Sequence, residues 1–283
     1  MSLTNKALLV SLNISVWTAR KLNKAESEEV ARRNGAVDMS ARVNVALLPG
    51  AESLREVQLL AGTIRTDYYQ MTLPWMDNMQ IIKADGYMAF TQVIARRKQE
   101  WDSLVTRFLN DYPALRATAG AKLNGLYNHD DYPAPHRVAE KFKMEVAFYP
   151  VPDANDWRVE LSDTETEFLK QQIEDKVMER QGVAMREAWD RIHAVVSKAR
   201  ERLSDPKNVF RDSLVENARE LCKILPSLNI ADDPRLEQMR NEVERHLCDY
   251  DPDDLRKNEG VRLAVADKMA DIMARMGPFM GAA

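Results

Sequence analysis

The chain has 283 residues, 45% of them apolar and 30% charged, with 40 Lys/Arg against 44 Asp/Glu for a net charge of −4. That balance suits a globular chain long enough for one large or two ordinary cores, and it excludes a disordered chain. No apolar run approaches the roughly 20 residues of a bilayer span, and Cys222 and Cys248 are the only cysteines, so neither a membrane protein nor a disulfide scaffold is predicted.

In chain order, Val10 to Val16 alternates strictly, the period of a half-buried strand. The run ALLVSLNISVW is interrupted by Ser11, Asn13 and Ser15, unlike the core of a signal peptide, so a cytoplasmic location is expected. Asn23 with Glu26 three residues on predicts a capped short helix ended by Gly35. Arg42 to Leu48 is open between strand and helix. From Ala51 the apolar spacing becomes helical through Leu54, Val57, Ala61, Ile64 and Tyr68, until Leu73-Pro74-Trp75 breaks it. A short strand is expected around Gln80–Lys83. A helix then carries Tyr87, Phe90, Ile94, Trp101, Leu104 and Phe108, and Pro113 is expected to begin the next, through Leu115, Ala119, Leu123 and Leu126. A loop at 129–135 and a short helix follow.

Met144, Val146 and Phe148 alternate, and so do Trp157, Val159 and Leu161, which predicts a hairpin near 144–161 with its prolines in the turn. Ser162 with Glu165 forms a capping box, and the helix it opens extends to Leu203, about 40 residues or on the order of 60 Å. Three Asp-Pro pairs, at 205–206, 233–234 and 251–252, have the chemistry of helix starts, because Asp caps free N–H groups and Pro loses no bond at the first helical position. The last start predicts one stripe through Leu255, Arg262, Ala266, Met269, Met273 and Met276. The fold class expected is therefore α+β and mainly helical: an N-terminal strand and hairpin with helices over 1–161, then a long helix and helical bundle over 162–283. Residues 1–143 sum to +4 and 144–283 to −8.

The common phosphate loops, the GxSxG elbow, HExxH and CxxC do not occur in the sequence, so neither catalytic residues nor a metal or cofactor is predicted. His246 and Cys248, two apart on a predicted helix, point away from each other. Two surfaces carry a functional expectation. Arg96, Arg97, Lys98, Arg107, Arg116 and Lys122, with Trp101, Tyr112 and Tyr127 interleaved, combine phosphate-neutralising cations with stacking rings, a mixture suited to single-stranded DNA. The competing reading makes Trp101 core and Arg96 and Lys98 a solvated face. The stripe of the long helix, with Phe168, Ile173, Val177, Ile192 and Val195, must be buried either by the later helices or by a partner, including a second copy.

The segments Val16-Trp17-Thr18-Ala19-Arg20-Lys21, Thr72-Leu73-Pro74-Trp75, Asp111-Tyr112-Pro113-Ala114-Leu115, Asp131-Tyr132-Pro133 and Phe210-Arg211-Asp212-Ser213-Leu214-Val215 resemble a family of bacteriophage proteins of unknown function. More loosely, the N-terminal strand is similar to a family found on integrative elements and conjugative plasmids. The resemblance covers the chain to about residue 250 and implies no catalytic residues. It implies a place near DNA replication and recombination, in the host cytoplasm if phage-encoded. The function expected is a non-enzymatic, oligomerising adaptor or scaffold whose partners are its own copies and phage or host DNA-metabolism proteins. The alternatives are a single-stranded DNA-binding or annealing protein and a virion or assembly protein.

Overall fold

A computed structural model describes residues 3–37, 40–154 and 162–280. It has the expected class, mainly helical with a small antiparallel sheet of four strands. After a 3₁₀ turn at Leu3–Asn5 come β1 (Ala7–Ser15), β2 (Arg20–Asn23), α1 (Lys24–Arg33), β3 (Val43–Ala46) and α2 (Glu52–Gln70). Next are β4 (Leu73–Met76), β5 (Met79–Lys83), α3 (Tyr87–Leu123), α4 (Pro135–Ala139) and β6 (Lys143–Pro150). The remainder is helical: α5 (Asp163–Leu203), α6 (Ser213–Leu228), α7 (Pro234–Val243) continuing into a π turn at Glu244–Cys248, α8 (Pro252–Lys257) and α9 (Glu259–Met280). The four-stranded sheet has the order β4-β5-β1-β6, and β2 pairs with β3 separately. Of the expected hairpin, Met144, Val146 and Phe148 lie on β6, while Trp157, Val159 and Leu161 fall outside the described residues.

The chain divides into two compact units: residues 1–11, 68–91 and 147–283 form one, and 12–67 with 92–146 the other. The first holds 23 Lys/Arg and 30 Asp/Glu, a net of −7, and the second 17 and 14, a net of +3.

In the second unit, Asn23 caps α1 by accepting from Glu26 N, and Asn34-Gly35 ends it, Gly35 taking the left-handed φ of 61°. The core is aromatic. Trp17 meets Tyr112 edge-on at 5.8 Å, and Phe142 lies 5.4 Å from Phe108 and 6.5 Å from Trp101. Tyr112 and Tyr132 bury their rings and donate their hydroxyls to the carbonyls of Pro133 and Leu47, each at 2.8 Å. Pro113 does not begin a helix, as its composition suggested; it lies inside α3, a single 37-residue helix. A proline interior to a helix costs about 3 kcal/mol through a lost bond and a clash. Fully buried Phe108 and Tyr112 before it and Ala119 after it hold the helix on course.

In the first unit, β1 pairs with β5 from Ala7↔Lys83 to Val10↔Gln80, and β5 pairs with β4 across a tight turn whose Asn78 has a φ of 60°. Leu73-Pro74-Trp75 thus do more than break a helix: they form the edge strand β4, where a proline is tolerated. Behind the sheet, Ala184, Ala188, Ile192, Val196, Ala199 and Leu203 step along one face of α5, all 0% exposed. The small alanines allow α9 to approach closely, and this is the unit's central helix pair. Arg191 donates to the carbonyls of Gln70 and Thr72, both at 3.0 Å, satisfying acceptors at the end of α2. Lys6 and Lys83 both bind Asp232, and their hydrogen bonds hold its carboxyl down at about 2.

Two expected helix starts form as predicted: Asp233 caps α7 by accepting from Arg235 N, and Asp251 caps α8 by accepting from Asp253 N. Asp205-Pro206 does not start a helix. That segment turns around the guanidinium of Arg262, which is 5% exposed and donates to the carbonyls of Arg202, Leu203, Asp205, Pro206 and Asn208 at 2.6–3.2 Å. The free carbonyls at the end of α5 need donors, and a buried arginine supplies five in a rigid fork. Helix α6 therefore begins only at Ser213. The expected last helix is also two, because Asn258 ends α8 in an extended conformation and its side chain accepts from Val261 N in the first turn of α9.

Candidate functional site

The six cations of the basic segment all lie on α3, in the second unit. Arg97 donates to Asp67 at 2.6 Å and to Glu100 at 2.8 Å, its side chain only 20% exposed, and these bonds raise its pKa. Lys98 pairs with Asp102 and Arg107 with Glu56. Arg116 reaches Nε2 of His129 at 3.2 Å, and Lys122 donates to the carbonyl of Pro49 at 3.3 Å. Arg96 alone of the six is exposed with no hydrogen bond or ion pair among the described residues. Nor do the six share a face. At about 100° per residue, Arg96 and Arg107 point to one side and Arg116, nine residues beyond Arg107, to the opposite one. Trp101 and Tyr112 are 2% and 0% exposed, so their rings are core and not stacking platforms, while Tyr127 packs on Tyr132 at 5.2 Å.

The self-association stripe divides along α5. Ile192 is fully buried and Val195 is packed against the same core, so neither is open to a partner. Val177 is partly buried against that core, and Ile173 is half-buried. Further toward the N-terminus the helix is bare: Phe168 is 67% exposed, Met178 61% and Val183 41%. The capping box begins this arm as expected. Glu165 N donates to Ser162 Oγ, Glu165 Oε2 accepts from Ser162 N, and the hydrogen bonds from Ser162 pull the Glu165 carboxyl below its usual range.

Two features escaped the sequence reading. Cys222 on α6 and Cys248 in the π turn are both buried, with sulfurs 4.0 Å apart. Hydrogen bonding to Cys248 and burial push the Cys222 thiol up. The same bond, with the nearby Arg219 guanidinium, pulls Cys248 down. Arg219 also donates to the carbonyls of Cys248 and Tyr250 at 2.7 and 2.8 Å, fixing the turn. Among the described residues, no group of three or more His, Cys, Asp and Glu is placed to hold a metal ion. The second feature is a cavity of about 350 Å³ beside the first turn of α6, lined by Lys198, Arg202, Val209, Phe210, Arg211, Ser213 and Leu214. Its sequence signal was available: residues 198–211 hold five Lys/Arg and two Asp/Glu inside an otherwise acidic region.

Compared with protein-family models, curated proteins and solved structures, the chain matches none. Among the described residues no helix is long and apolar enough to cross a membrane.

Proposed function

We propose that this chain is a self-associating scaffold or adaptor, of the bacteriophage or mobile-element kind its motifs resemble, serving DNA replication or recombination through contacts and not through catalysis. The observation that carries the self-association is the state of α5. One face of the helix is buried along its C-terminal half, yet the N-terminal half exposes Phe168 and Met178 by more than three-fifths each. Burying one large apolar side chain is worth about 1.5–3 kcal/mol, so an arm bearing two of them favours a partner.

A second copy is the occupant the charges favour. Residues 163–169 hold three acids and no base, whereas 170–180 hold three of each. Antiparallel pairing of two arms sets the acidic end of each against the basic residues Lys170, Lys176 and Arg180 of the other, where parallel pairing would oppose like charges. The basic segment on α3 supports single-stranded DNA binding less well, because five of its six cations already have partners.

Light scattering on the full chain tests this reading. Oligomers are expected at micromolar concentration, and Phe168→Glu with Met178→Glu should return the protein to monomers with unchanged helicity. A wild-type chain that stays monomeric throughout that range overturns it.

A further inference from the structure

We infer that the cavity beside α6 is a phosphate site, taking the phosphate group of a nucleotide or of a nucleic-acid strand. Lys198 and Arg202 stand one helical turn apart on α5, and Arg211 comes from the segment that leads into α6, so two stretches of chain converge three cations on one cavity. Ser213, exposed at the cavity wall, adds a hydroxyl.

The cations are unspent. Lys198 and Arg211 have no ion pair or side-chain hydrogen bond among the described residues, and Arg202 has only its neighbour Glu201 at 3.8 Å. In the same unit Arg191, Arg240, Arg256 and Arg275 bind carboxylates and Arg219 and Arg262 bind backbone carbonyls. Arg180, Arg200 and Arg245, without an ion pair among the described residues, do not line this cavity. Two unpaired cations and a third with one weak partner, gathered at one cavity in a unit of net charge −7, repel one another. An anion relieves that repulsion, and a phosphate can take charge-assisted bonds from all three.

Of the acids beside these cations, Glu201 faces Arg202 at 3.8 Å, and Asp212, the sequence neighbour of Arg211, is engaged elsewhere. The carboxylate of Asp212 is bound by Arg256, and it makes no capping bond to the first turn of α6. The N–H groups of Leu214, Val215 and Glu216 at the start of that helix already donate to the carbonyls of Arg211 and Asp212, so the helix end adds only the partial positive charge of its dipole and the cations carry the recognition. Phe210 and Val209 supply an apolar margin. The faces of Phe210 already carry Arg256 and Arg262 at 5.1 and 5.2 Å, so the ring is a fixed wall and not a free stacking platform. The recognition chemistry is thus the phosphate, with the base contributing little. Such a site is indifferent to sequence.

The test uses the full chain and three probes: inorganic phosphate, thymidine 5′-monophosphate and a short oligothymidylate, titrated calorimetrically at low salt. Lys198→Gln with Arg211→Gln should weaken binding by about tenfold or more and flatten the log–log salt dependence by about one to two units. Lys223→Gln, at an exposed cation on α6 outside both the cavity and the arm, should leave it unchanged. Both substituted cations are exposed, and an unchanged melting temperature will show that the variant is folded. Binding of all three probes identifies a mononucleotide-sized phosphate site, and binding of the oligonucleotide alone identifies a strand site. No binding by any probe, or binding that the double variant leaves intact, overturns the inference. Because the cavity does not include Phe168 or Met178, this result is independent of whether the arm self-associates.

Discussion

The two ends of α5 have similar sequence and different surroundings. From Ala184 to Leu203 every fourth or third residue is apolar and 0% exposed, pressed on α9 and the sheet. From Asp163 to Val183 the helix is as well capped and as long, yet its largest apolar residue, Phe168, stands two-thirds in solvent. Helical periodicity alone does not separate them. Residue size does not either: Ala184, Ala188 and Ala199 let another helix come close at the packed end, but bulky Trp189, Ile192 and Leu203 are buried there as well, and what differs is the presence of α9 and the sheet.

Substitutions along α5 sharpen that contrast. The largest effect is expected of Ile192→Asp, which buries a carboxylate without a partner and should destabilise by about 4 kcal/mol or more, abolishing cooperative unfolding in thermal melts. Arg262→Met, at the capped end, leaves the carbonyls of five residues without their donor and should cost about 3 kcal/mol in urea unfolding. Gly182→Ala lies between the two ends, with open space around the added methyl group, and should stabilise by about 0.5–1 kcal/mol. Phe168→Ser should change the unfolding free energy of the monomer by less than about 0.5 kcal/mol while weakening association. If Phe168→Ser destabilised the monomer as Ile192→Asp does, the two ends would be one core, and the reading of the arm as a free surface would fail.

Much of the fold was legible because it is locally encoded. Asn23, Ser162, Asp233 and Asp251 each cap the helix they were expected to cap, since the capping bond spans only two or three residues. The strand at 79–83 and the continuous α5 were equally readable from period and length. Asp205-Pro206 and Pro113 carry equally clear local signals and misled, for one reason. Arg262, more than 50 residues away, recruits the 202–208 turn, and a cluster of aromatic rings from separate segments packs α3 on both sides of the proline it runs through. The candidate sites divide in the same way. Cations were visible in the sequence, but whether a cation is spent depends on which carboxylate arrives beside it. Glu56 meets Arg107 and Asp67 meets Arg97 only after folding, while Lys198 and Arg211 meet none.

The sequence by itself therefore determined most of the helices, four of their caps and the class of the fold, which depend on neighbours within a turn or two, but not where α3 and α6 begin and end. Only the tertiary structure decided which stripes are core, which charges are free and how the compact units are assembled from separated stretches of chain. Burial and ion pairing are properties of residues that meet in space, and here the partners lie from 30 to more than 50 positions apart.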